Sequence, residues 1–155
     1  MARGLHIVLM AALCVGIGGH ASLAQPYPAG FNEDAIQWRS VAAGLAEAKD
    51  TGKPVVLVVH ATWCPVCQTY RDVFSDPEVV TLMRRVVPVL VDQDREPEDA
   101  AHFAPDGDYM PRTLVLSPSG ELLSDYNSGW ADYLYFYAPD RAEPLAAMLQ
   151  RLTGE

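Results

Sequence analysis

Two cysteines separated by two residues, Cys64 and Cys67, have the type and spacing that point most directly to chemistry. They lie in the segment ATWCPVCQTY (61–70), and the third cysteine of the chain, Cys14, lies far from them in sequence. A Cys-x-x-Cys pair supports thiol–disulfide exchange, contributes two ligands to a metal site, or forms a structural bridge. The elements around the pair decide among these uses.

The residues on either side of the pair predict a strand followed at once by a helix. The run VVLVVHA (55–61) is apolar without alternation, which is typical of a buried strand in a parallel sheet. Pro65 suits the first helical position, where its missing N–H costs nothing. Cys64 then lies at the helix start, where free backbone N–H groups stabilise a thiolate. Cys67 lies almost one turn later on the same side, so the pattern favours a redox pair.

Two other uses of the pair stay open on these residues. A closed zinc site needs four ligands, and the chain has no second Cys-x-x-Cys motif. Copper(I), which favours thiolates, is the metal that Cys64 and Cys67 would suit, with His60 or His102 as a helper, and the chain would then be a copper(I) chaperone. A structural bridge across so small a loop would remove little entropy from the unfolded chain.

The remaining sequence predicts a mixed-sheet α/β domain. The expected elements, in chain order, are a helix over 35–49 capped by Asn32 or Asp34, a strand over 55–61, helical segments broken at 75–77 with Asp76 as a cap, a strand over 86–92, an acidic loop over 92–99, a hairpin of strands 113–117 and 121–126, and a helix over 141–152. A β-α-β half followed by a hairpin and a closing helix produces a central sheet flanked by helices. The alternating tyrosines Tyr133, Tyr135 and Tyr137 are expected to pack against this sheet.

The first 24 residues have the pattern of a cleaved secretory signal. An early Arg3, an apolar run over 7–17 and the small-x-small closure Ser22-Leu23-Ala24 make up this pattern. We therefore expect residues 1–24 to be a signal peptide that includes Cys14, residues 25–155 to form one domain, and no stable membrane insertion after cleavage. Export would place the cysteines where disulfides persist.

The charge of the chain argues against nucleic acid as a partner. The sequence has 20 Asp and Glu against 11 Lys and Arg, a formal net charge of −9. The field of such a protein repels a phosphate backbone.

Several segments together resemble the thioredoxin superfamily. The motif WCPVC follows a buried strand, and MPRTLVLSPSG follows about 45 residues later. Within the superfamily, the chain is similar to the small endoplasmic-reticulum thioredoxin-domain oxidoreductase and anterior gradient family. The similar segments are WRS (38–40), VVHATWCPVC (58–67), FAPDGDYMPRTLVLSPSG (103–120), YLYFYAP (133–139) and RLTG (151–154).

This resemblance implies a thioredoxin-like fold and disulfide exchange with protein substrates, without a bound cofactor or metal. Cys64 would attack, Cys67 would resolve the mixed disulfide, and the two would form the redox-active disulfide. Pro111 would be the cis-proline beside that disulfide, and Met110 would bind the substrate chain with it. Trp63 would cover the disulfide and contribute an apolar surface for substrate. A redox partner protein would recycle the pair.

The chain also departs from the family in ways that matter for function. Val58 stands where thioredoxin has a buried aspartate, and Pro65-Val66 replaces the Gly-Pro of thioredoxin between the cysteines. The residues Thr153-Gly154-Glu155 do not form a KDEL-like signal, so we expect a periplasmic or otherwise secreted protein rather than a resident of the endoplasmic reticulum. A redox-silent protein-binding module is a further alternative. Arg112, next to the proline, is expected to hold a loop carboxylate.

Overall fold

The computed structural model describes residues 29–154. The predicted signal peptide (1–24), and Cys14 within it, lie outside the described residues. Among those residues, we find no helix long and apolar enough to cross a lipid bilayer.

Five helices, one 3₁₀ turn and three strands form the described part of the chain. In order they are α1 (Val41–Thr51), β1 (Val55–His60), α2 (Pro65–Tyr70), the 3₁₀ turn (Arg71–Ser75), α3 (Pro77–Met83), β2 (Val87–Asp92), α4 (Pro97–His102), β3 (Arg112–Leu116) and α5 (Glu143–Thr153). The predicted β-α-β half and the closing helix are confirmed.

The three strands form a mixed sheet, as the sequence predicts, and their order is β2-β1-β3. Strand β1 pairs with β2 in parallel, with Val55 opposite Val87, and with β3 antiparallel, with Val55 opposite Leu116. Every residue of the three strands is buried, because apolar layers cover both faces. Val56 and Val58 face the layer that contains α3 and α5, whereas the alternate residues of β1 face the layer that contains α1.

Helix α1 begins at Val41 rather than at Ala35, so the predicted start was wrong. The Arg39 N–H donates to the Pro88 carbonyl at 3.0 Å, and the Arg39 carbonyl accepts from the Leu90 N–H at 3.1 Å. These bonds attach Arg39 to the outer edge of β2 in an extended form, which prevents a helix there.

The predicted caps of this helix, Asn32 and Asp34, were also wrong. Ser40 is the N-cap, and its hydroxyl accepts from the Ala43 N–H at 3.4 Å. Asn32 instead donates through its side-chain amide to the Phe74 carbonyl at 2.9 Å, which fixes the entry segment to the 3₁₀ turn.

The predicted hairpin after β3 has its turn but not its second strand. The chain turns at 117–121, where the Ser117 N–H donates to the Glu121 carbonyl at 2.8 Å, and pairing then stops after a single bridge between Leu116 and Leu122. The Thr113 N–H on the same outer edge donates to the Tyr135 carbonyl at 2.8 Å. A later segment therefore occupies the edge that the second strand was expected to fill.

Two other predictions about the middle of the chain had different outcomes. Asp76 caps α3 as expected, because its side chain accepts from the N–H groups of Glu78 and Val79. The acidic stretch 92–99 is not wholly a loop, since Asp92 is a buried strand residue and Pro97 begins α4.

Candidate active site

Cys64 lies between the end of β1 and the first residue of α2. It is the N-cap of the helix, and Pro65 follows at the first helical position, as predicted. The Cys64 Sγ accepts a hydrogen bond from the Cys67 N–H at 3.2 Å. A sulfur that accepts a backbone N–H at a helix start is in a position that favours negative charge.

The two sulfur atoms are adjacent and differ in exposure. Both cysteines are free thiols, with the Sγ atoms 2.6 Å apart. Cys64 retains 6% exposure, whereas Cys67 is fully buried. Burial, followed by the hydrogen bond to Cys64, raises the pKa of the Cys67 thiol. Cys64 is therefore the sulfur that a partner can reach first, and Cys67 keeps its proton beneath it.

The loop before β3 places Met110 and Pro111 at the cysteines. The Met110–Pro111 peptide bond is cis, as the resemblance implied. Met110 packs on a small cluster formed by Ala61, Cys64 and Cys67. Among residues 29–154, no hydrogen bond within the protein uses the Met110 N–H or carbonyl, so both groups are available to a bound chain.

The Arg112 side chain hydrogen-bonds to the backbone near this loop rather than to a carboxylate. Its guanidinium is buried and donates to three carbonyl oxygens, those of Ala100 and Tyr109 at 2.7 Å and that of Phe103 at 3.0 Å. The prediction of a carboxylate partner was wrong, because carbonyl oxygens of α4 and the loop occupy its donors.

A buried hydrogen bond connects the cysteine helix to the strand after the proline. The Tyr70 hydroxyl lies 2.8 Å from the Thr113 Oγ1, and both residues are fully buried. Sequence reasoning missed this pair, since nothing in the local pattern links positions 43 residues apart. The contact fixes α2 relative to β3.

Two exposed apolar side chains lie close to Cys64 in sequence. Trp63 is 60% exposed and Val66 is 39% exposed. Exposure of this extent leaves both side chains open to a bound partner. The predicted roles of Trp63 in covering the disulfide and binding substrate stay predictions.

His60, the last residue of β1, is buried near the site. Its ring lies 4.8 Å from the Phe31 ring, and its register partner on β2 is Asp92. Burial lowers the pKa of His60 to about 4, against a raising effect of Asp92. In the described chain, no group of three or more His, Cys, Asp or Glu side chains is arranged to hold a metal ion. His60 therefore does not complete a three-ligand site with the cysteines.

Tyr109 and Asp106 form a second cluster that sequence reasoning missed. The Tyr109 hydroxyl donates to the Asp106 carboxylate, with distances of 2.7 and 2.9 Å to its two oxygens. An acidic residue and an aromatic residue on either side of Gly107 were the signal in the sequence. The residues far along the chain to which they bond could not be predicted from it.

Comparisons with known proteins agree with this geometry. A family model described as thioredoxin-like matches residues 37–118, more than half of the chain. The chain is 25% identical over 135 residues to anterior gradient protein 3 of Mus musculus, covering 87% of this chain and 81% of that protein. It is 27% identical over 117 residues to anterior gradient protein 2 homolog of Homo sapiens, covering 76% and 66% of the two chains.

Two solved structures show the same fold. A thioredoxin from Thermus thermophilus superposes with a TM-score of 0.58 at 24% identity, covering 76% of this chain and 86% of that one. A disulphide isomerase from Xylella fastidiosa Temecula1 superposes with a TM-score of 0.53 at 20% identity, covering 73% and 88%. The family match over residues 37–118 establishes that the chain belongs to the thioredoxin-like family.

Proposed function

We propose that the protein is an exported thiol–disulfide oxidoreductase that exchanges disulfides with polypeptide substrates through Cys64 and Cys67. The observation that supports it most directly is the pair of sulfurs 2.6 Å apart, the outer one partly accessible and the inner one buried. Family membership supports the same class of reaction.

The reaction runs in two balanced exchanges. The Cys64 thiolate attacks one sulfur of a substrate disulfide, a Cys64–substrate bond forms, and the other substrate sulfur leaves as a thiolate. Cys67 then attacks the Cys64 sulfur as its proton passes to the substrate thiolate released first, which forms the Cys64–Cys67 disulfide and expels the second substrate sulfur as a thiolate. The substrate gains two electrons and the pair loses two, and the reverse sequence oxidises a substrate dithiol.

The residues around the sulfurs suit an extended polypeptide. The N–H and carbonyl of Met110 make no hydrogen bond within residues 29–154, so they can pair with a substrate main chain as strands do. Met110 packs against the cluster that contains Cys64 and Cys67, so this backbone lies beside the cysteines. Trp63 and Val66, close to Cys64 in the chain, offer exposed apolar area.

Export of the protein is supported by the pattern of residues 1–24, which is that of a cleaved secretory signal. Expression of the full chain in a bacterium, followed by N-terminal sequencing of the periplasmic fraction, tests this part. A mature protein that begins at Gln25 supports cleavage after Ala24. Recovery of an uncleaved chain in the cytoplasm contradicts it.

A trapping experiment tests the reaction. The Cys67→Ala variant lacks the resolving thiol, so mixed disulfides through Cys64 should accumulate and separate on a non-reducing gel. The Cys64→Ala variant is the matched control and should trap nothing, since the buried sulfur cannot be reached. Wild-type protein should also reduce insulin with dithiothreitol as reductant. An absence of both trapped partners and insulin reduction would remove the proposal.

A further inference from the structure

We propose that Tyr109 is a positioning residue that fixes the Met110–Pro111 loop for binding an extended polypeptide. This inference rests on the proposed function, because the loop matters only if polypeptides bind beside the cysteines. Tyr109 precedes Met110 directly, and both its side chain and its main chain are held by neighbouring elements.

The side chain of Tyr109 connects the loop to the segment that covers the edge of β3. Its hydroxyl donates to Asp106 and accepts from the Tyr135 N–H at 3.0 Å. Asp106 in turn accepts from the Leu134 N–H at 2.8 Å. The loop is therefore attached to residues 134–135, which are themselves attached to β3 through the Tyr135 carbonyl and the Thr113 N–H.

The main chain of Tyr109 is held by a different residue, Arg112. Its carbonyl accepts from the Arg112 Nη1 at 2.7 Å. Arg112 is anchored to Ala100 and Phe103 of α4 and its C-terminal end. Tyr109 is therefore held through both its side chain and its carbonyl. The N–H and carbonyl of Met110, the next residue, make no hydrogen bond within the described residues.

Gly107 makes the Asp106–Tyr109 contact possible. Its φ of +136° lies in a region that side-chain-bearing residues rarely adopt, and it turns the chain so that Asp106 and Tyr109 meet. Burial raises the pKa of Tyr109, so its hydroxyl keeps the proton that it donates to Asp106.

Loss of the Tyr109 hydroxyl should loosen the loop without altering the sulfurs. A substrate that binds along Met110 would then have to order the loop, which weakens its binding. A small disulfide that meets Cys64 alone needs no such ordering. The two classes of substrate should therefore respond differently to the same substitution.

The test compares Tyr109→Phe with wild type on insulin and on bis(2-hydroxyethyl) disulfide. We expect the KM for insulin to rise about three- to tenfold, with kcat and the rate on the small disulfide unchanged within about twofold, because the substitution removes the hydroxyl's bonds to Asp106 and Tyr135 and leaves the sulfurs as they are. Tyr133→Phe is the matched control, because this exposed ring lies 4.8 Å from Tyr109 and its loss of a hydroxyl should change neither rate. Asp106→Asn, which keeps one acceptor oxygen, should lie between wild type and Asp106→Ala.

A binding measurement separates this inference from the proposed function. In a Cys64→Ser/Cys67→Ser background, Tyr109→Phe should weaken binding of reduced, alkylated insulin B chain about three- to tenfold. If wild type does not reduce insulin but Tyr109→Phe still weakens binding of the B chain, the proposed function is overturned and the positioning role of Tyr109 stands. Unchanged insulin KM and unchanged B-chain binding in Tyr109→Phe would overturn the positioning role, as would equal losses on insulin and on the small disulfide.

Discussion

The buried histidine at the end of β1 should make the free energy of unfolding of this protein fall in mildly acidic solution. His60 is fully buried, and burial lowers its pKa to about 4 from an ordinary value of 6.5. Between these two pH values, the unfolded chain binds a proton at this residue and the folded chain does not. The free energy of unfolding therefore falls as the pH falls from about 6.5 to about 4.

The size of the effect follows from the shift. One pKa unit corresponds to about 1.4 kcal/mol, so a depression from 6.5 to about 4 corresponds to about 3 kcal/mol at most. Asp92, the register partner of His60, acts in the opposite direction and is already included in this shift. A loss of this size is a large part of the stability of a typical domain.

Urea unfolding of wild type and His60→Gln at about pH 7, 6, 5 and 4 measures this contribution. Removing the imidazole changes the free energy of unfolding by an amount that does not depend on pH. The way in which the difference between the two proteins varies with pH therefore isolates the titration of His60. We expect wild type to lose about 3 kcal/mol relative to His60→Gln between about pH 7 and pH 4. The exposed His102, changed to Gln, shows the effect of removing a surface imidazole. A difference between wild type and His60→Gln that stays constant with pH would refute the reasoning.

Three further predictions concern packing, the loop and the buried thiol. Gly44→Ala should destabilise the fold by about 1–3 kcal/mol in urea unfolding, because a Cβ there would overlap the Val89 side chain, whereas Ala42→Gly on the exposed face should cost less than about 1 kcal/mol. Arg112→Met should lower the free energy of unfolding by about 2–5 kcal/mol, because it leaves buried carbonyl oxygens without donors; no measurable loss would contradict the role we assign to the guanidinium. Reduced wild type should lose stability as the pH rises above about 8.5, since the unfolded thiol ionises while the buried Cys67 thiol does not, and Cys67→Ala should lack this loss.

The sequence predicted the parts of the site that depend on local signals. The continuous apolar runs identify β1 and β2, Pro65 identifies the start of α2, and Asp76 identifies the cap of α3. Each of these features is encoded within a few neighbouring residues, and the structure confirms each of them. The cis conformation of the Met110–Pro111 bond was implied by the resemblance rather than by periodicity.

The parts that the sequence did not predict depend on partners far along the chain. The helical pattern from Ala35 is overridden because Arg39 bonds to the edge of β2. The second hairpin strand is displaced because Tyr135 takes a position on the edge of β3. Local propensity cannot predict these outcomes, because the contacts that override it are made with residues far away in the sequence.

The cysteine pair and the Met110–Pro111 loop come from separate parts of the chain, and buried side chains join them into one site. Tyr70, on the same helix as Cys67, bonds to Thr113, and Arg112 beside it holds the carbonyl of Tyr109. Groups that are fixed before binding need no ordering when a substrate arrives, so less binding free energy is lost. Preference for extended polypeptides would then depend on residues that never touch a sulfur atom, and these can change while Cys-x-x-Cys stays the same.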